Sequence, residues 1–455
     1  MTPNRRVLLL TCVLALLAAC TSNTSSSDSS SSDASNGSAV SSADPAQADA
    51  VMKIVRDTMA ESHLKAVIVR VTVDGKEIVT QALGESMTGV PATTDMHFRN
   101  GAVAISYVST LLLQLVDEKE VSLDDTVSKW LPDIPHADRV TLRQLAQMTS
   151  GYVDYVIGNT EFAEALYAAP FRNWTPEELL AFATSKPLLY EPGTNWNYAH
   201  TNYVILGLAL EKITGQPMTE LMQDKVLGPL GLDDTTDPGT AAITEPVLHA
   251  FSSERREALQ IPAGAPFYEE STYWNPSWTI THGAIQTTNI YDLHDTAVAI
   301  GTGELLSSES YEAMVSTDLR GKTTTLPGCT TCFPQSEDYT YGLGLPIVGN
   351  WLMQNPLFSG SAAVEAYLPR RRSPSPSPSP TRRPPSTTRG PTRTRPTGCS
   401  GRSALNSLRT TRRRWPSASV RPRRGRVDGR EFAPPGRRWR RAPSRGGDRE
   451  RTWSS

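Results

Sequence analysis

The chain has 455 residues, room for about two or three domains and a large core. Its formal net charge of −2 hides a segregation: residues 370–455 carry 25 Arg, no Lys and 4 acidic residues, which leaves 20 basic and 43 acidic residues in 1–369. An acidic body argues against binding nucleic acid or an anionic surface, so no nucleic acid is expected for it.

The N-terminus reads as an export sequence. Arg5 and Arg6 precede an apolar run from Val7 to Ala19, too short to span a bilayer comfortably. The run closes in Leu17-Ala18-Ala19-Cys20, which resembles the lipobox of bacterial lipoproteins. That resemblance implies a diacylated Cys20 as the new N-terminus; the alternative is a plain secretory leader with a chance cysteine. Residues 1–19 are therefore expected to be a lipoprotein signal peptide. Residues 20–45 are expected to be a Ser-rich tether with nothing to bury. Two acyl chains hold a protein stably to a membrane where one does not. The expected location is the extracytoplasmic face of the cell membrane, with the membrane as partner through the lipid.

Past the tether, residues 46–63 have helical periodicity. Residues 64–85 read as two β-branched strands around an Asp74-Gly75 hairpin turn. The stretch Phe98 to Glu118 reads as a short turn feeding a helix that is apolar for nearly four turns. Its start lies where a helix dipole favours reactive or anionic groups. Yet the first turn is Ala102-Val103-Ala104-Ile105, with nothing that attacks, accepts a proton or binds a metal. Strands at both ends and a helical middle suggest a mixed α/β domain over residues 46–369. Cys329 and Cys332 form a C-x-x-C in a Gly/Pro-rich loop; in an exported chain this reads as a small structural disulfide. The seven histidines are scattered without metal-ligand spacing, and neither a metal nor a cofactor is expected.

Several ordered pieces carry a resemblance. "SLDDTVSKWLP" follows the Phe98 helix, "TLRQLAQMTSG" comes next, and "PGTNWNYAHTNYVILGLALEKITGQP" and "PLGLDDT" follow. Together they resemble the serine β-lactamase / D,D-peptidase superfamily, specifically its class C-related, penicillin-binding-protein-like esterase branch. The resemblance runs from about Ala46 to Pro369. It implies an α+β fold, an antiparallel sheet flanked by helices beside an all-helical domain, with the site in the cleft between. It also implies a Ser-x-x-Lys helix start, a Tyr-x-Asn loop and a Lys/His-x-Gly strand around one point.

Against that pattern the chemistry is missing. The family reads F-R-I-G-S-V-T-K where this chain reads F-R-N-G-A-V-A-I. The nucleophile position is Ala102 and the lysine position is Ile105. Tyr198-Ala199-His200 keeps the tyrosine and has His for Asn. Phe358-Ser359-Gly360 fits the third element without its basic residue. Alanine forms no acyl-enzyme, and Ile105 supplies no charge to ionise Tyr198. Ser106, one turn on, has no lysine partner and reads as a buried serine bonded to a backbone carbonyl. Ser150 reads as a turn residue, and Tyr198 on its own as an aromatic packed near Trp196. His200 is of a residue type that serves as a base, but it has no nucleophile beside it.

The tail after Pro369 has Arg without Lys, with Pro, Ser, Gly, Thr and stray Trp. It reads as a disordered Arg-rich arm for an anionic polymer or, preferably, as a GC-rich gene read out of frame. In the latter case the sheet is truncated and exposes an unpaired edge. The functional expectation is an inactive member that binds a cell-wall peptide, a related amide or ester, or a protein partner. Two alternatives stay open: an active esterase, D,D-carboxypeptidase or β-lactamase with another nucleophile, and a structural lipoprotein without a ligand.

Overall fold

The computed structural model describes residues 45–370. The leader, Cys20, the tether and the Arg-rich segment beyond residue 370 lie outside the described residues, so the readings made of them are not addressed by the fold.

The helix Pro45–Glu61 opens the fold and packs on the first sheet. That sheet is built by the strands Ala66–Val73 and Lys76–Met87, paired antiparallel, with Val90–Pro91 as a short third member. Val73 lies opposite Lys76, so Asp74 and Gly75 form a two-residue turn. Both have positive φ, 54° and 75°, as the twist of a tight hairpin demands.

Phe98–Arg99 pairs with Thr287–Thr288 and feeds the helix Val103–Asp117. Twelve of that helix's fifteen side chains are buried, and a helix apolar on all sides belongs inside a core. Its polar side chains find partners, as buried groups must. Ser106 Oγ donates to the Val103 carbonyl at 2.6 Å, and Thr110 Oγ1 to the Ser106 carbonyl at 2.9 Å. Tyr107 bonds Thr296 and Ser109 bonds Tyr203, each at 2.7 Å.

A run of helices follows. Leu142–Ala146 and Pro176–Thr184 both begin with reciprocal caps, Thr141 with Gln144 and Thr175 with Glu178, which satisfy otherwise orphaned N–H groups. His200–Thr214 packs on Val103–Asp117 and ends at Gly215 in the left-handed conformation, a common helix stop. Gly207 sits where this helix meets the 279–284 segment; a Cβ there would lie 2.1 Å from Thr281 Oγ1. Helices and sheets share one continuous apolar core.

The second sheet is antiparallel, with strand order Glu365–Tyr367, Trp351–Gln354, Pro346–Val348, Thr340–Tyr341. Its outermost strand and the outermost strand of the first sheet, Ala66–Val73, both pack on the helix Ile290–Thr302. A Cβ on Gly301 would meet the Tyr367 ring, Arg70 lies 4.9 Å from the Tyr291 ring centre, and Thr72 Oγ1 is 2.9 Å from His294 Nε2. Among the described residues no ladder joins the two sheets, and both edges are left unpaired. The edge strand also carries Glu365, which is 5% exposed with no partner for Oε2. Burial pushes its carboxyl well above the usual range.

Candidate functional site

Two backbone features fix the start of the Val103–Asp117 helix. Asn100 is wholly buried and exchanges bonds with Gln286: its backbone N–H donates to the Gln286 carbonyl, its Oδ1 accepts from the Gln286 N–H, and its amide reaches Gln286 Oε1 at 3.2 Å. Gly101 has φ +53°, and a Cβ there would lie 2.6 Å from Pro356 Cβ. Ala102 caps the helix with no side-chain bond and is half-buried, whereas Ile105 has no exposed surface. The N–H groups of Gly101 and Ala102 make no hydrogen bond among the described residues. They lie at the positive end of the helix, where backbone donors favour an anion or a developing oxyanion.

A second group of family positions lies at the start of His200–Thr214. Tyr198 and His200 meet edge to face, ring centres 5.3 Å apart. Trp196 packs against Phe333, Tyr339 and Tyr341. The Tyr198 phenol is half-buried and makes no hydrogen bond among the described residues. Burial, then the nearby Asp154 carboxylate, pushes it well above the ordinary tyrosine range. It stays neutral at any physiological pH and cannot act as a phenolate base.

Asp154 is the residue that the sequence did not single out. Its side chain is 4% exposed. It accepts from the N–H groups of Val156, Ile157 and His200 at 3.2, 3.0 and 3.0 Å. Both carboxylate oxygens also lie 3.1 Å from His200 Nδ1. A local "GYVDY" gives no hint of this, because the partner is 46 positions away. Ser150, read as a turn residue, is also buried; it donates to Asn202 Oδ1 at 2.5 Å.

The third group is aromatic. Phe358 ends the short strand Leu357–Phe358, which pairs only with Ser361–Ala362. This hairpin is separate from the four-stranded sheet, in contrast to the wall strand that the family pattern implies. Phe358 is buried and stacks on Trp278 at 5.7 Å, with the planes 16° apart. Trp278 in turn lies 6.4 Å from the His200 ring. The Arg99 guanidinium lies 5.8 Å from the Phe358 ring centre and donates to the Ala241 carbonyl. Burial lowers its pKa to about 10, against the pull of Asp237. Gly360 has φ +89° and lies so close to Phe251 that a Cβ would sit 2.3 Å from its carbonyl oxygen. The disulfide Cys329–Cys332 has Cα atoms 5.5 Å apart. Its loop touches the same region: Thr331 Oγ1 donates to the Tyr198 carbonyl at 3.2 Å.

Residues 51–372 match the family model described as Beta-lactamase. The chain belongs to this family. It is homologous to penicillin-binding proteins and D-alanyl-D-alanine carboxypeptidases. It is 34% identical over 180 residues to penicillin-binding protein 4 of Amycolatopsis lactamdurans, covering 38% of this chain and 44% of that protein. To the esterase EstB of Burkholderia gladioli it is 32% identical over 167 residues, covering 34% of this chain and 42% of the esterase. A putative D-alanyl-D-alanine carboxypeptidase of Salmonella agona is 25% identical over 299 residues, with coverages of 61% and 64%. The chain thus spans less than two thirds of each of these proteins. Among solved structures, a D-stereospecific amidohydrolase from Streptomyces sp. superimposes with a TM-score of 0.59 at 26% identity, covering 71% of this chain and 91% of that one. A penicillin-binding protein from Bacillus halodurans gives 0.56 at 17% identity, with coverages of 69% and 91%, and this likeness speaks for the fold alone.

The β-lactamase fold therefore places Ala102 and Ile105 on a family helix, Tyr198 and His200 at the head of a second, and Phe358 and Gly360 on a hairpin. Ring contacts link Tyr198, His200 and Phe358 through Trp278. Among the described residues no cluster of three or more His, Cys, Asp or Glu side chains could hold a metal ion.

Proposed function

We propose that this chain is a non-acylating member of the β-lactamase family whose cleft holds a cell-wall peptide, a related amide or an ester. The observation that carries the reading is Ala102 at the helix start with Ile105 wholly buried behind it. Alanine offers no oxygen for an acyl bond, and isoleucine no charge to ionise Tyr198. Removing one member of such a catalytic unit costs about six orders of magnitude, and removing several costs little more. The free N–H groups of Gly101 and Ala102 still suit a carbonyl or carboxylate oxygen, and Tyr198 and Trp278 suit an apolar body. The names of the relatives, penicillin-binding protein, esterase and carboxypeptidase, indicate the ligand class.

The purified chain is expected to take no label from a fluorescent penicillin or a fluorophosphonate. Stoichiometric, heat-stable labelling mapped to a serine would overturn the reading and favour an active hydrolase. Binding is tested by melting with muropeptides, D-Ala-D-Ala peptides and acyl esters. A ligand at a hundred times its Kd adds about 2.7 kcal/mol to stability. No shift with any of them would favour a structural role. The same reading places the protein at the membrane through lipid on Cys20. Cys20→Ser is expected to release it to a soluble or unprocessed fraction, and retention on membranes after cleavage would rule the anchor out.

A further inference from the structure

We propose that His200 and Asp154 form a general-base dyad that activates water against an ester held in the cleft, so that hydrolysis proceeds without an acyl-enzyme. The inference rests on the reading that no side chain here is acylated.

The argument starts from the carboxylate. Asp154 is nearly wholly buried and faces four donors at 3.0–3.2 Å. A carboxylate only accepts, so His200 Nδ1 carries a proton, and in the neutral imidazole the lone pair belongs to Nε2. Nε2 has no hydrogen-bond partner among the described residues, yet it is not among the buried orphaned atoms. It therefore reaches solvent. The ring packs against Tyr155, Tyr198 and Trp278, with centres 5.9, 5.3 and 6.4 Å away. These contacts orient the ring before any ligand arrives, as an oriented base requires.

The surroundings select the substrate. Of the aromatic rings, Tyr198 is half-buried while Trp278 and Phe358 are buried, and with Tyr198 un-ionised they present no charge to a ligand. That suits an ester with an apolar acyl or aryl group. An ester also asks less of the acid than an amide, because an alkoxide or phenolate leaves more readily than an amide nitrogen. In the step proposed, His200 Nε2 takes a proton from water as the water oxygen bonds to the carbonyl carbon. The carbonyl electron pair moves to oxygen. On collapse the C–O bond to the alcohol breaks, and the Nε2 proton passes to the departing oxygen. One ester and one water become one acid and one alcohol.

Asp154 also caps the His200–Thr214 helix through the His200 N–H, so a structural role must be separated from a positioning one. The test uses the purified full chain and p-nitrophenyl butyrate. Expected are saturable turnover without a burst, no acyl adduct in the intact mass, and a slower rate in D₂O. His200→Ala should lower kcat roughly a hundredfold, the usual reach of general-base catalysis, and added imidazole should restore part of it. Asp154→Asn, which can still accept from backbone N–H groups, should lower kcat at unchanged KM. A change in melting temperature alone, without a loss of kcat, would make Asp154 merely structural and overturn the dyad. Wild-type chain without turnover, or turnover that survives His200→Ala, would also overturn it and leave ligand binding to be judged by melting shifts. An acyl adduct would instead overturn the non-acylating reading itself.

Discussion

Glu365→Leu should stabilise the folded chain, and the stabilisation should grow as pH rises. Glu365 is 5% exposed on an edge strand, and its Oε2 has no partner. Burial raises its folded pKa well above the ordinary glutamate value, which is about 4.3. Below that value both folded and unfolded chains hold the proton, and stability does not depend on this group. Above it the unfolded chain releases the proton while the folded chain keeps it. Folding then takes up a proton, and stability falls by up to about 1.4 kcal/mol per pH unit until the folded pKa is passed. Leucine removes that slope. It also removes a buried unsatisfied oxygen, a pH-independent cost of about 1–3 kcal/mol. Asp292, whose pKa burial also raises, adds a slope of the same sign but is common to both proteins, so the difference isolates Glu365. The assay is urea denaturation of both chains from pH 4 to pH 7. The wild-type midpoint should fall relative to the variant as pH rises. Parallel curves, or a variant less stable at pH 7, would mean that the strand Glu365–Tyr367 does not bury this side chain.

Gly207→Ala should cost about 1–3 kcal/mol by overpacking, because the new methyl would meet Thr281 at 2.1 Å; a melt at or above the wild-type temperature would contradict the close approach. Tyr203→Phe should lose a similar amount, since its hydroxyl bonds both Ser109 and the Ala146 carbonyl, and Ser109→Ala in the same background should cost little more. Cys329 and Cys332 should resist alkylation until reduced, and serine at both positions should cost on the order of 2 kcal/mol for so short a loop. Ala102→Ser with Ile105→Lys should restore the motif on paper but little acylation by penicillin, because Phe358 and His200 remain. It should also melt lower, since Ile105 has no exposed surface to offer an ammonium group.

Much of the scaffold was legible because it is local. The Asp74-Gly75 turn, the buried Val103–Asp117 helix and the Ser106 bond each follow from neighbours within a few residues. The family match fixed which positions to inspect, and so pointed to Ala102, Ile105, Tyr198 and His200. What escaped depends on distant pairing. Asp154 sits in a stretch that reads as loop, and only the fold brings it to His200. Trp278 had no reason to be chosen until Phe358 stacked on it. Glu365 was not singled out, because a short strand gives no sign in sequence that its acidic side chain is the one turned inward while Ala366 stays exposed.

The strand Ala66–Val73 has a ladder on one side only. In an antiparallel pair, successive N–H groups point alternately toward the partner strand and away from it. Those turned toward Lys76–Met87 are bonded, while those turned outward have no backbone acceptor among the described residues. Deuterium should therefore enter residues 66–71, ahead of the register shift at Val71/Thr72, in a stripe of period two, fast at one residue and slow at the next. A polypeptide supplied from outside with the right register would erase the stripe.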